Sequence, residues 1–285
     1  MEFYTHQISK GNAHATAKRQ QNIVDDYTAW CKAEGVEITE SSYQNIMDFV
    51  AFLQQKGNKT RTIQQKLTTL RHFFEFLNVP NPALLVQLKG KQNTIPNAWL
   101  TEEELKAIYE RWPTHGIVKK RDKILLSLIV FQGVCSSELQ HIEITDVNLN
   151  QGTIYIPALR STNSRTLELK AFQLLLFQDY LMNVRPLILQ QANKQSEKLL
   201  VTTGQSAKLG NVIVPILKYL RCYYPKLKSF QQVRQSVVKE WVKQFGLRKA
   251  QYMAGHRFAS STERYDEDEM EGLKNALKTN HPLKK

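Results

Sequence analysis

The spacing of the apolar residues constrains the fold most, because they recur every three or four positions through most of the chain. This spacing places them on one face of a helix. The pattern covers residues 17–33, 42–55 and 60–77, and a further short helix is predicted over Pro82–Leu88. Helices joined by loops this short pack against each other, so we predict a helical bundle that forms a first domain over residues 1–90.

The second half of the chain combines helices with one β-hairpin. Two short runs of β-type residues, Gly152–Pro157 and Ser164–Leu169, flank a polar loop at 159–163, as is typical of a hairpin. Residues 91–99 contain Gly, Pro and polar residues without an apolar period, so we predict a linker there and a second domain over 100–285. The helices predicted in this domain cover residues 101–112, 121–131, 170–189, 209–223, 230–245 and 247–253, with a short one starting at Ser136 or Ser137. The predicted fold class is therefore mainly α with a small antiparallel β-sheet.

The chain is strongly basic, which favours a polyanionic partner. Lys and Arg number 39 against 26 Asp and Glu, and the formal net charge is +13. The stretch 56–71 holds basic residues without an acid, and we predict that it contacts DNA phosphates. The candidate contacts there are Lys56, Lys59, Arg61, Lys66 and Arg71. A solvated basic surface without a partner is the alternative.

Other features of the sequence exclude several classes of protein. No apolar run reaches the roughly 18 residues of a membrane span, and the first ten residues lack an apolar signal core. We therefore expect no membrane association and a cytoplasmic location. Cys31, Cys135 and Cys222 are odd in number and far apart, so we expect no disulfide framework. No Cys or His cluster indicates a metal site.

The segment from Tyr252 to Tyr265 is the candidate site of chemistry. Gly255 breaks the preceding helix just before His256, and Ser and Thr residues that can start a new helix follow. A turn at this point would bring His256 and Tyr265 to one site. A tyrosine phenol can attack a phosphodiester when a cation and a proton-transfer group assist it. A core tyrosine and a helix-capping histidine are the structural alternative.

This segment resembles the tyrosine recombinases, also called phage integrases. In that family a Gly-His pair and a Ser/Thr-rich stretch precede the nucleophilic tyrosine at this spacing. The run Ser229–Val238 is similar to the family's His-x-Leu-Arg-His-Ser box, and Phe131–Leu139 is similar to its Gly-Leu-Arg-x-Ser-Glu-Leu box. The resemblance implies that Tyr265 is the nucleophile, that Arg234 binds the phosphate, and that His256 stabilises the transition state together with Arg234.

The sequence departs from the family pattern at several positions. Cys135 stands where the family has its first catalytic arginine, and Gln231 stands where its box begins with histidine. The hairpin lysine has no lysine counterpart, and Arg160 is the nearest basic residue. We therefore assign Gln231 and Arg160 to the catalytic site as partial substitutes. Arg160, Arg121 and Arg257 are candidates for the missing charge, and Arg257 is also a candidate DNA contact.

The resemblance implies a site-specific recombinase or integrase that breaks and rejoins double-stranded DNA through a 3′-phosphotyrosyl intermediate. The N-terminal bundle would be a core-binding domain and the second domain would be catalytic. No cofactor is implied, because the covalent link conserves the energy of the phosphodiester bond. A homo-oligomer on DNA, a dimer or a tetramer, is expected. Met270, Leu273 and Leu277 predict a helix in the C-terminal tail that docks on its own domain or on a neighbouring protomer.

Two other classes remain open at this stage. The missing arginine and histidine favour a catalytically impaired relative that binds DNA without cleaving it. A helical protein-interaction module without a DNA partner is the third possibility. Covalent attachment to DNA distinguishes an active recombinase from an impaired relative. Salt-sensitive DNA binding distinguishes both of these from a protein-interaction module.

Overall fold

The computed structural model describes residues 2–89, 99–206 and 208–265, and the chain divides into two compact units, Met1–Thr94 and Ile95–Lys285. Each unit is described by itself. The predicted helix of the C-terminal tail and the predicted linker, apart from Trp99, lie outside the described residues.

The first unit is a bundle of amphipathic helices. Its helices are α1 (Phe3–Ser9), α2 (His14–Ala33), α3 (Tyr43–Gln55) and α4 (Thr60–Leu77). Aromatic side chains fill the core, where Tyr27 packs edge-on against Phe49 and Phe74. Ser42 caps α3, accepting a hydrogen bond from the backbone N–H of Asn45 at 3.2 Å. Helix α1 is too short for its pattern to be read from the sequence.

The helix predicted over Pro82–Leu88 is wrong. Only a 3₁₀ turn forms, over Pro82–Leu84. Side chains of α4 satisfy the backbone carbonyls of this segment instead of a helical ladder: Arg71 donates to Ala83 O and Val86 O, and Gln64 donates to Leu88 O. Because these carbonyls have partners, the segment can remain irregular without an unsatisfied polar group.

The second unit is built around α6 (Gly116–Gln132), a helix that is buried along most of its length. Its helices are α5 (Glu102–Arg111), α6 (Gly116–Gln132), α7 (Ser136–Leu139), α8 (Ala171–Asp179), α9 (Arg185–Gln191), α10 (Gly210–Arg221), α11 (Phe230–Ala254) and α12 (Ser260–Glu263). Thr101 caps α5 as predicted, with a reciprocal bond to Glu104. A π-helical turn at Tyr180–Val184 separates α8 from α9, where the sequence predicted one helix. Gly246, with φ of 77°, kinks α11 between the two helices predicted there.

A three-stranded antiparallel sheet has the order β1 (Val147–Asn148), β2 (Thr153–Ile156), β3 (Arg165–Glu168). Arg165 and Leu167 point to the buried face of β3. The loop between β2 and β3 lies on the turn after α11, where the Asn163 N–H donates to Gly255 O at 2.9 Å. The hairpin thus carries Arg165 to the carboxyl end of α11. The predicted fold class, mainly α with a small antiparallel sheet, is confirmed.

Within the described ranges, no helix combines the length and the apolar character that crossing a membrane would require.

Candidate active site

Arg234 is the central cation of the site and projects from the start of α11. Ser229 caps this helix, accepting from the Gln232 N–H at 3.2 Å. Arg234 is 5% exposed. Its guanidinium donates through Nη1 to Gly133 O and to Glu138 Oε2, and through Nη2 to Ala254 O at 2.6 Å. These bonds fix its plane between the end of α6 and the end of α11.

Glu138 of α7 joins Arg234 to a second buried arginine. Arg165 donates to both carboxylate oxygens, at 2.7 and 3.1 Å, and its Nε donates to Met253 O at 2.7 Å. Burial alone would raise the pKa of Glu138, but the hydrogen bonds from Arg165 and the charge of Arg234 outweigh it and lower this pKa to about 2. One carboxylate between two guanidiniums leaves the cluster with a net charge of about +1.

Gly255 makes this close packing possible. It ends α11 in the left-handed region, with φ of 67°. A Cβ at this position would lie 2.5 Å from Arg165 Nη1 and 2.9 Å from Asn163 O. The conformation and the space therefore both require glycine. Because Gly255 comes directly before His256, the same turn sets where the imidazole begins.

His256 faces the nucleophile candidate in a half-buried position. Its Nδ1 lies 2.9 Å from Thr262 Oγ1 of α12, and its ring is nearly parallel to that of Tyr265, 13° apart with centroids at 6.1 Å. Burial, together with the charges of Arg234 and Arg165, lowers the pKa of His256 to about 4. The imidazole is therefore neutral at pH 7 and can accept a proton.

Tyr265 follows α12 and is 9% exposed. Burial raises the pKa of its phenol, and the charges of Arg234 and Arg264 oppose this rise. Trp99 packs against the ring, with centroids 6.0 Å apart. The structure thus brings Arg234, His256 and Tyr265 into one cluster, as the sequence predicted, although 31 positions separate the first from the last.

The remaining catalytic candidates lie at the edge of this cluster or outside it. Arg160 is exposed at the hairpin tip, and Gln231 is exposed on the first turn of α11. Arg257 is exposed and donates to Leu159 O of the hairpin. Arg121 lies elsewhere, because its guanidinium binds Asp122 and Val201 O. Cys135 is half-buried, and its N–H donates to Glu138.

Arg165 binds the same carboxylate that accepts from the Cys135 N–H. It is none of the three arginines that the sequence offered for the missing charge, and it was not predicted for this role. Both of its terminal nitrogens bind Glu138, and its side chain has no exposed surface. Arg165 therefore neutralises the charge of Glu138 and holds this carboxylate against the carboxyl end of α11. Thr262 and Trp99 were also missed as neighbours of His256 and Tyr265.

The predicted DNA contacts of the first unit differ in their surroundings. Lys56, Lys59 and Arg61 are exposed, and Lys56 lies over the Phe52 ring. Lys66 is half-buried and pairs with Asp26 at 3.0 Å, and the guanidinium of Arg71 binds the carbonyls after α4. Long cationic side chains can fold back onto their own domain in this way. The exposed three are the better placed to reach a phosphate.

Among the residues that the structure describes, no group of three His, Cys, Asp or Glu side chains could hold a metal ion.

A mainly helical chain in two units, with a buried arginine, an imidazole and a phenol converging in the second, defines a protein of the integrase type. The model of the phage integrase family matches residues 98–271, and the model of the phage integrase N-terminal SAM-like domain matches residues 2–79. The chain therefore belongs to the phage integrase family, the tyrosine recombinases.

Similar proteins extend over nearly the whole chain. The tyrosine recombinase XerC of Oceanobacillus iheyensis is 24% identical over 97% of this chain and 93% of its own length. That of Bacillus subtilis is 25% identical over the same shares. The Tn1549 transposon integrase in complex with circular intermediate DNA has a similar fold, with a TM-score of 0.69, 16% identity, and coverage of 95% of this chain and 98% of the other.

Proposed function

We propose that the chain is a site-specific DNA recombinase that cleaves and rejoins double-stranded DNA through a 3′-phosphotyrosyl intermediate. The convergence of Arg234, His256 and Tyr265 carries the proposal. The net charge of +13 and the exposed cations Lys56, Lys59 and Arg61 support binding of the DNA backbone. The XerC relatives are tyrosine recombinases by name, and solved neighbours are bound to DNA.

The reaction begins with attack by the Tyr265 Oη on the scissile phosphorus. A new O–P bond forms, the bond from phosphorus to the 5′ oxygen breaks, and the 3′ phosphate remains on the tyrosine. The neutral imidazole of His256 accepts the phenol proton and returns it to the leaving 5′ oxygen, so protons balance. Arg234 stabilises the charge on the nonbridging oxygens. Attack by the 5′ hydroxyl of a partner strand reverses these steps and joins the strands.

Arg160 and Gln231 complete the site in this proposal. Both are exposed, so bound DNA can reach them. Arg160 adds a cation at the hairpin tip, and Gln231 donates an uncharged hydrogen bond in place of histidine. Arg257 contacts the DNA backbone beside the cleaved phosphate. The chain assembles on DNA as a homo-oligomer, a dimer or a tetramer, because two duplexes must exchange strands.

A duplex with a nick close to the cleavage site tests the proposal. Cleavage releases the short fragment that carries the 5′ hydroxyl, so the wild-type protein is trapped on DNA as a covalent adduct. Tyr265→Phe is expected to bind the duplex with an unchanged dissociation constant and to form no adduct on denaturing gels. An adduct that persists in this variant would assign the nucleophile to another residue.

A catalytically impaired DNA-binding relative is the second candidate, and Cys135 is the observation that favours it. Thiol or thiolate cannot supply the guanidinium that a phosphorane-like transition state binds, and losing one such donor costs about 10²–10³ in rate. Wild-type protein that binds the nicked duplex in a salt-sensitive way but forms no adduct would select this candidate.

A further inference from the structure

Trp99 is packed against the nucleophile, although it belongs to none of the motifs of the site. It lies just before α5, half-buried, with its ring centroid 6.0 Å from that of Tyr265. The His256 ring also faces Tyr265 and is nearly parallel to it. The phenol ring therefore has an imidazole and an indole as neighbours.

Trp99 is also attached to the helix that carries Arg234. The backbone N–H of Leu100, the next residue, donates to Ser236 Oγ of α11 at 3.0 Å. One turn further along α11, the ammonium of Lys239 lies over the Trp99 ring, 4.8 Å from its centroid. Two contacts thus attach this segment to α11, one through the backbone of Leu100 and one through the indole of Trp99.

Trp99 therefore connects α11, the helix that carries Arg234, to the ring of Tyr265. In the proposed reaction Arg234 binds the nonbridging oxygens of the phosphate. Tyr265 must present its Oη to the phosphorus atom that carries those oxygens. Reaction rates depend steeply on such alignment. Tyr265 itself lies beyond the four-residue helix α12, which positions it less firmly than a long helix would.

We propose that Trp99 is a positioning residue for the nucleophile, whose indole holds the Tyr265 ring in register with the Arg234 guanidinium. This inference rests on the proposed recombinase function. In this role Trp99 acts through its contact with the ring of Tyr265.

The kinetic test is single-turnover adduct formation on the nicked duplex at saturating protein. An aromatic contact of this kind corresponds to about 3- to 10-fold in rate. Trp99→Ala is expected to lower the rate constant by that factor with an unchanged dissociation constant for DNA, and Trp99→Phe is expected to restore most of it. Tyr223→Ala is the matched control, since it removes an exposed ring that contacts the cation of Arg111 elsewhere in this unit.

A second test needs no DNA and reports on the packing alone. The Tyr265 phenol is titrated by ¹³C NMR of labelled tyrosine, with Tyr265→Phe assigning the signal. Burial is the cause of its raised pKa, so Trp99→Ala is expected to lower this pKa towards the usual value. The charges that remain, those of Arg234 and Arg264, favour the same direction, and His256 is neutral where the phenol titrates.

Each outcome has one meaning. An unchanged or faster rate for Trp99→Ala, in a protein whose wild type forms the adduct, overturns the positioning role. An unchanged phenol pKa overturns the packing on which that role depends. If the wild type forms no adduct while the phenol pKa still falls in Trp99→Ala, the recombinase proposal fails and the contact stands.

Discussion

Glu138→Gln tests the charge cluster at the centre of the site. The substitution retains the shape of the side chain and removes the negative charge between Arg165 and Arg234, so two buried guanidiniums face each other without compensation. The folded state lowers the pKa of Glu138 from 4.5 to about 2. At 1.36 kcal/mol for each pKa unit, the ionised form contributes about 3 kcal/mol to the free energy of unfolding at pH 7.

The sign of the pH dependence follows from the direction of this shift. Because the folded-state pKa lies below the unfolded value, the stabilisation is complete above about pH 4.5 and is lost as pH falls towards about 2. The difference between wild type and Glu138→Gln should therefore be about 3 kcal/mol at pH 7 and roughly half of that or less at pH 3. His256 also titrates in this range and the charge of Glu138 raises its pKa, so both proteins are compared in a His256→Gln background, which removes that titration.

Urea unfolding followed by tryptophan emission measures these differences between pH 3 and pH 7. Glu143→Gln is the matched control, because Glu143 pairs with Lys198 at 2.8 Å on the surface, with both side chains nearly half exposed. An exposed pair of this kind contributes under about 1 kcal/mol. A loss for Glu138→Gln no larger than that of the control, or one that is equal at pH 3 and pH 7, would refute the reasoning.

Two further substitutions test the turn that carries His256. Gly255→Ala places a methyl group against Arg165 in a left-handed conformation, and we expect the free energy of unfolding to fall by about 2–4 kcal/mol in urea titrations. Gly57→Ala shares the positive φ but has open space around its Cβ, so it should lose only about 1 kcal/mol, and equal losses would contradict the steric argument. Thr262→Val removes the hydroxyl next to His256 Nδ1. It should slow adduct formation about 5-fold without weakening DNA binding, and an unchanged rate would separate this hydrogen bond from catalysis.

Local rules predicted most of the helices, because their signals lie within a few residues of each other. Thr101 is a helix cap that bonds to a residue three positions away, and Gly246 divides two helices by its own backbone conformation. The helix prediction over Pro82–Leu88 was wrong because the bonds that shape this segment are not local. Its carbonyls accept from Arg71 and Gln64, which belong to the preceding helix, and no local pattern encodes those bonds.

The residues of the site likewise fall into those that a local pattern predicts and those that depend on a contact distant in the sequence. The motif residues Arg234, His256 and Tyr265 were found from short patterns, and the structure brings them together. Arg165 carried a usable signal, since it alternates with Leu167 on the strand and so points inward. Its partner Glu138 lies 27 positions earlier, however, and a sequence pattern does not show which buried acid will meet a buried arginine.

The charge of the cluster bears directly on the choice between an active recombinase and an impaired one. Arg165 is fully buried and shares its terminal nitrogens with Glu138, so it cannot take over the phosphate contact that a guanidinium at position 135 would make. It does cancel the charge of Glu138, which leaves the charge of Arg234 available to an anion. A site with one such arginine can still stabilise the transition state, and exposed Arg160 is the cation that bound DNA would meet at the hairpin tip. The missing arginine therefore predicts a slow enzyme, and a slower one still if Arg160 does not reach the phosphate.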